Sequence, residues 1–331
     1  MTNRDEYIDF LRSFGLCLVI LAHVNAPLMI TQIRCFDVPL MLFVSGLSYS
    51  GRRIPIAKMN FYWLRTKRII IPVYCFLFLY LVLLWLLDNK LTISFVVGSF
   101  TLSYSYGVQF VWIMRVFLLV MLMTPFLIKM EKGISGVKLA FFLVLMIVIL
   151  ECLTNIKSLL GLGLFANIYE ETILWLFAYS IPFVLGLRIR FACKKEVYSY
   201  LSFFSVIAVV YFVHYILTKG FPIVISPNYK YPPHSYYVVY GLWCASILWS
   251  LKSKFEILVK NKAILFIGKN TIWIYLWHIM ALLAMSNLTD LWYVKYIGTI
   301  VVSISIVYLQ VGLIQFIQRK YPSQMWKYFI G

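Results

Sequence analysis

Long apolar runs, interrupted at intervals by short basic or polar stretches, set the pattern of this chain. About ten segments are long and apolar enough to read as membrane-spanning helices. They cover 7–30, 35–51, 69–88, 108–128, 137–155, 170–187, 199–218, 236–251, 263–285 and 292–317. The stretch from Leu91 to Gly107 is a weaker apolar run, rich in Ser and Tyr, and reads as interfacial or re-entrant. No polar region is long enough for a separate soluble domain, and no internal repeat or low-complexity linker is present. The expected fold class is all-α, a polytopic helix bundle in which residues 1–331 form one membrane domain.

Composition agrees, with 63% hydrophobic and 13% charged residues. The net charge of +18 invites a nucleic-acid reading, but its distribution points to topology instead. With the N-terminus inside, about 23 Lys/Arg fall in cytoplasmic segments and about 6 in external ones. The internal clusters are Arg52 to Arg68, Lys129 to Lys138, Arg188 to Lys195, Lys252 to Lys269 and Arg319 to Lys327. Arg34, Lys90, Lys157, Lys219, Lys230 and Lys295 are scattered through the external loops. The alternation predicts an even number of spans, both termini cytoplasmic, in a multi-pass protein of the inner (cytoplasmic) membrane. Membrane lipid is the expected surrounding and no nucleic-acid partner is expected.

The first segment is flanked by Asp5, Glu6 and Asp9 and lacks a clear small-residue cleavage site, so it does not read as a cleavable signal peptide. The six cysteines stand singly. Cys35 and Cys152 are placed for one external disulfide, but free thiols acting as small hydrophobes are the preferred reading. The four histidines have no partners at metal-ligand spacing, so no metal site is expected.

Ionisable residues inside the apolar runs carry more information, because at membrane depth they mark a functional site by default. Arg12 and His23 are eleven positions apart, which brings them to within about 20° on a helix with about 16 Å of rise between them. Asp9, Leu16 and Val19 complete that face, and Asp9 is placed at i, i+3 to pair with Arg12 and orient it. Arg115, three residues after Trp112, is a second intramembrane cation with no acidic residue nearby in sequence. A donor-channel role and a structural pairing are equally open for it. His278 lies mid-span, where an interhelical bond is preferred over assistance in catalysis. Ser45 and Gly46 suit close helix packing.

The residues around the Arg12/His23 pair carry a family resemblance. The stretches YIDFLRSFGLCLVILAHVN, FDVPLMLFVSGLSYS and FYWLRTKRIIIPVY resemble the acyltransferase-3 family of integral membrane acyltransferases, especially its fucose 4-O-acetylase-like branch. Arg12 and His23 match the family's Arg-x10-His pair, Pro39 to Gly46 its second-helix motif, and Arg65 and Arg68 its Arg-x-x-Arg. Further on, VWIMRVFLLVMLMTPFL is similar to the family's fourth helix and IYLWHI, containing His278, to a late Tyr-Leu-x-His helix. The likeness is dense over residues 5–75 and thin beyond. Asp37 stands where the fucose-acetylase branch tends to have His, which leaves the branch and its sugar open.

The resemblance implies transfer of an acyl group, usually acetyl, from acyl-coenzyme A to a sugar hydroxyl of a cell-envelope glycan or lipid-linked precursor. The donor is a substrate, and no permanently bound cofactor is expected. Arg65 and Arg68 share a helix face beside an expected helix N-terminus, a setting suited to the phosphates of coenzyme A. Arg12, Lys67 and Arg115 are the other candidate donor contacts. For the neighbouring Arg52, Arg53 and Lys58, ordinary flanking charge is the preferred reading. A neutral His23 imidazole can take a proton from a hydroxyl or become acylated itself; general base is favoured, and the acyl-histidine route stays open.

The acceptor side is less legible. The external loop Lys219 to Ser235 holds Tyr229, Tyr231 and His234 and is followed by Tyr236, Tyr237 and Tyr240. Trp112, Tyr231 and Tyr236 are candidate stacking faces for a sugar, although an interfacial aromatic belt is the plainer reading. Glu170 and Glu171 read as solvated flanking charges. A transporter or flippase using Asp9, Arg12 and Arg115 is the alternative, and an assembly subunit a third; inverted halves and paired broken helices, expected of a transporter, are missing.

Overall fold

The computed structural model describes residues 5–50, 59–87, 90–161, 163–219 and 227–330, and among them every regular element is a helix. In chain order these are α1 (Glu6–Leu21), α2 (Leu28–Ile33), α3 (Asp37–Tyr49), α4 (Met59–Leu86), α5 (Ile93–Phe100), α6 (Trp112–Lys132), α7 (Gly136–Leu160) and α8 (Leu164–Tyr169). There follow α9 (Trp175–Ile189), α10 (Lys194–Lys219), α11 (Pro227–Lys230), α12 (Ser235–Ser250), α13 (Glu256–Val259), α14 (Lys262–Lys269), α15 (Thr271–Leu288) and α16 (Trp292–Lys320). In lipid, helices are the economical solution for such apolar segments, since each satisfies its own backbone.

Eight helical stretches among the described residues are long and apolar enough to cross a membrane. Helix occupies all of the expected segments, but α1 and α12, at 16 residues each, are shorter than a simple crossing needs. Several segments differ from expectation. The segment 263–285 is not one helix: it breaks at Asn270 into α14 and α15. The first segment is not one helix over 7–30: α1 stops at Leu21, and the chain turns through Asn25, whose φ of 54 is left-handed, and Pro27 before α2 begins. The helix expected from 69 starts at Met59 instead. Of the cations expected beside it, Arg52, Arg53 and Lys58 lie outside the described residues. The Leu91–Gly107 stretch holds only the eight-residue α5, in keeping with a segment that does not span.

Burial separates inner from outer helices. The span containing α9 is 72% buried, whereas those of α10 and α16 are 17% buried and turn most of their apolar surface outward. The contact of α3 with α9 lies at the centre. Gly46 faces the Phe183 carbonyl and Gly186 faces the Phe43 carbonyl, so a Cβ at either position would strike the other helix's backbone. Glycine at these two positions is what lets the helices come this close. On its other side α3 meets α1, which also packs against α14 and α15. Gly268 of α14 lies against the Asp9 carbonyl, and Ser13 Oγ donates to the Ile264 carbonyl at 2.6 Å. The helix carrying Arg12 is therefore clamped between the bundle centre and α14.

Candidate active site

The site is built along α1. Asp5 caps its N-terminus, accepting from the Tyr7 amide at 3.1 Å, and Glu6 and Asp9 add negative charge to the first turn. Asp9, 1% exposed, takes Arg12 Nη1 at 2.7 Å, the pairing expected from their i, i+3 spacing. Arg12 Nη2 donates to Ser48 Oγ, also at 2.7 Å. Asp9 thus positions Arg12 and lies about 21 Å of helical rise from His23, too far to act on it directly.

Three consecutive residues at the end of α3 each engage a different arginine. Leu47 accepts from Arg190 Nη1 at 2.9 Å through its carbonyl, Ser48 holds Arg12, and the Tyr49 ring lies 5.1 Å beneath the Arg65 guanidinium. Arg190 was not singled out by its sequence, where it sits in an ordinary basic cluster. Arg65 and Arg68 share a face as expected, but only Arg65 reaches the α3 end; Arg68 is exposed, and Lys67 lies 4.3 Å over the exposed Trp63 ring. Because α4 begins at Met59, both arginines lie inside the helix, where backbone N–H groups are already bonded. The helix N-terminus expected to assist them is about 1.7 to 2.5 turns away.

At the other end of α1, the His23 amide bonds the Ile20 carbonyl at 3.0 Å, a tightened turn just past the helix end. His23 is half-buried. Its ring meets the edge of Phe110 at 4.7 Å and lies against His278 of α15, with centroids 5.5 Å apart and planes 28° from parallel. Stacked rings present faces rather than nitrogens, so the two imidazoles touch without a hydrogen bond. His278 is fully buried, and its Nδ1 meets the Tyr275 carbonyl, which can only accept. Nδ1 therefore carries the proton, and Nε2 is left a bare acceptor with no hydrogen-bond partner among the described residues. The Tyr275 hydroxyl donates to the Phe110 carbonyl, tying α15 to the chain entering α6.

Two buried charge clusters complete the region, and in each the partner from a distant part of the chain was not legible from spacing. Asp37, in the first turn of α3, takes Arg34 Nη1 at 2.7 Å and Lys230 Nζ at 3.0 and 3.1 Å. Arg34 and Lys230 were expected to be scattered loop cations; both are buried. One turn beyond Trp112, Arg115 pairs with Glu171 at 2.8 Å. Glu171 also accepts from Ser103 Oγ at 3.1 Å and the Ser105 amide at 2.9 Å. It stands in a wide π-helical turn, Glu170–Leu174, that leads into α9, and is 3% exposed. Glu171 is thus no solvated flanking charge, and Arg115 does have a carboxylate, supplied from another helix. Glu170 in turn meets Lys157 at 3.5 Å.

The candidate aromatic contacts divide. Trp112 and Tyr231 come together at 5.3 Å, edge to face, and Tyr231 stacks on Tyr104 at 4.7 Å and 13°. Trp175 closes on Trp112 at 4.8 Å. Tyr236 is elsewhere: it packs on Tyr211 and Tyr215 of α10, while the adjacent Tyr237 faces Tyr179. Tyr104 was missed because it lies in the run read as interfacial; the Ser/Tyr content of that run was its one signal. Burial raises the Tyr231 phenol well above its ordinary value, so it acts as a neutral hydroxyl and not as a base. All six cysteines are free; Cys35 is buried and Cys152 exposed.

The geometry thus consists of arginines gathered at the end of α3, one of them from the middle of α1, and a histidine pair just past the end of α1, with aromatic rings and buried charges in the same region. A family model described as an acyltransferase domain, of the acyltransferase-3 type, matches residues 5–314. No curated protein and no solved structure matches the chain.

Proposed function

The chain belongs to the acyltransferase-3 family and is read as a membrane acyltransferase, and from that premise we propose that it moves an acyl group, acetyl in the simplest case, from acyl-CoA to a sugar hydroxyl of a cell-envelope glycan or lipid-linked precursor. The single observation that carries this reading is the placement of Arg12 midway along α1 and of His23 just past its C-terminal end, about 16 Å of rise apart. That separation suits a long, thin donor with phosphates at one end and a thioester at the other. Arg12, pinned by Asp9 and Ser48, and Arg65, over Tyr49, face the phosphates from the end of α3. Arg68 lies on the Arg65 face of α4 and meets the outer part of the donor. With the positive-inside pattern, this end is the cytoplasmic one, in a multi-pass inner-membrane protein with both termini inside.

At the far end His23 takes the proton of the sugar hydroxyl as its oxygen attacks the thioester carbonyl. The tetrahedral intermediate then collapses, the C–S bond breaks, and the thiolate of coenzyme A leaves and recovers the proton. The products are an O-acyl sugar and free coenzyme A. His278 supports the stack and offers its bare Nε2 to the same space. Trp112, Tyr231 and Tyr104 provide ring faces for the acceptor sugar. Arg115, neutralised by Glu171, braces the turn that carries Trp112.

Acetyl-CoA binding to the detergent-purified protein tests the donor half directly. Arg68→Ala is expected to weaken it by about 1–3 kcal/mol, the range for a charge-assisted hydrogen bond. Arg68→Lys should recover only part, because an ammonium lacks the guanidinium fork. Unchanged affinity in an Arg65→Ala/Arg68→Ala double variant would mean that the donor docks elsewhere. No acetyl-CoA binding by the wild type would favour a transporter.

A further inference from the structure

Asp37, Arg34 and Lys230 form a cluster of two cations on one carboxylate, and all three are more than nine-tenths buried. Its net charge is +1, and among the described residues no second acid reaches it. An uncompensated charge in a membrane-embedded interior costs several kcal/mol and is retained where function uses it. The cluster is also short of hydrogen bonds. Among the described residues Arg34 Nε and Trp175 Nε1 have no partner, and both are buried. These groups share a neighbourhood: the Asp37 charge bears on Tyr179, Tyr231 and Tyr237, and Lys230 Nζ lies 5.8 Å from the Tyr231 ring centre.

We propose that this cluster recognises a carboxylate on the acceptor, so that the sugar acylated is an acidic one, of the uronic-acid class. The inference rests on the acyl-transfer reading above for what happens next, but binding itself does not depend on that reading. A monoanion matches the spare charge of +1, where a phosphomonoester would overshoot it. A planar carboxylate also suits the open Nε edge of a guanidinium whose Nη1 is already committed to Asp37. The ring of the same sugar lies within reach of Tyr231 and Trp112, and its hydroxyls can accept from Trp175 Nε1 and exchange hydrogen bonds with Tyr179 and Tyr237.

Quenching of tryptophan fluorescence in the full detergent-purified chain tests this at low ionic strength, with methyl α-D-glucuronide, methyl α-D-glucoside and methyl α-D-glucoside 6-phosphate as probes. The glucuronide is expected to bind at least about tenfold more tightly than the glucoside, the least that one charge-assisted hydrogen bond supplies, and more tightly than the phosphate. Lys230→Gln leaves the neutral Arg34–Asp37 pair; it should abolish the preference and raise the thermal stability of the unliganded protein. Arg34→Gln should also lose the preference. Affinities for glucuronide and glucoside within twofold, tighter binding of the phosphate, no binding of any probe, or a preference that survives Lys230→Gln would each overturn the proposal. Glucuronide binding without any acyl transfer would sustain it while refuting the enzymatic reading.

Discussion

Replacing Gly186 by alanine puts one methyl group into the tightest contact of the bundle. The new Cβ would lie 3.0 Å from the Phe43 carbonyl carbon and 3.1 Å from the Leu47 nitrogen, and would collide with the Phe43 carbonyl oxygen. These are backbone atoms in the middle of α3, so no side chain can swing aside. Ordinary carbon contacts need about 3.5–4.0 Å, and because the carbonyl oxygen is nearer than its carbon, the helices must part by about 1 Å or more to provide it. Overpacking of this kind costs about 1–3 kcal/mol. Parting α3 from α9 also stretches the Ser50 Oγ bond to the Leu187 carbonyl, at 2.5 Å, and the Arg190 bond to the Leu47 carbonyl, at 2.9 Å. Together these add about 1 kcal/mol. Gly312 on α16 has nothing within 4 Å of its own prospective Cβ, so Gly312→Ala reports the helix-propensity gain alone, up to about 1 kcal/mol. Reversible unfolding in mixed detergent and SDS, followed by helicity, should place Gly186→Ala about 2–4 kcal/mol below Gly312→Ala. Equal shifts for the two substitutions would refute the close α3–α9 approach.

Glu171→Gln should destabilise the protein by about 3–5 kcal/mol in the same assay, because it strands Arg115 in the interior, and Arg115→Met in the same chain should restore part of the loss. Membrane-impermeant thiol labelling from outside the cell should reach cysteines introduced at 286–291 and fail at 252–262, as the Lys/Arg alternation requires. Labelling of 252–262 from outside would break the even-span topology.

What could be read from sequence, and what could not, divides along the range of the contact. The Asp9–Arg12 ion pair is a matter of helical spacing, and 2.7 Å is what i, i+3 neighbours of opposite charge achieve. Gly46 signalled close packing by being small in an apolar run, though its partner Gly186 could be paired with it only once α9 was in place. Arg115 and Glu171, Asp37 and Lys230, and His23 and His278 are far apart in the chain, and their meeting depends on how helices dock. Hydrophobic periodicity says which face is buried, not which neighbour buries it. Charge in a basic-rich chain misled in the same way: Arg34 and Lys230 looked like loop cations because nothing local distinguishes a buried lysine from a solvated one. The helix ends were misplaced where polar residues extend a helix beyond its apolar part, as over Met59 to Arg68, or where a turn lies inside an apolar run, as between α1 and α2.

The central claim is that His23 is the base for acyl transfer. Release of free coenzyme A from acetyl-CoA, and appearance of the O-acetyl ester in the cell-envelope glycan fraction, should be compared between wild type and His23→Gln. Glutamine keeps a polar side chain of similar reach but cannot accept a proton near neutral pH. The expected result is a well-folded variant with normal acetyl-CoA binding and acetyl transfer reduced by about 10²–10⁴-fold, the usual cost of losing a positioned base. Near-normal transfer by His23→Gln would contradict it.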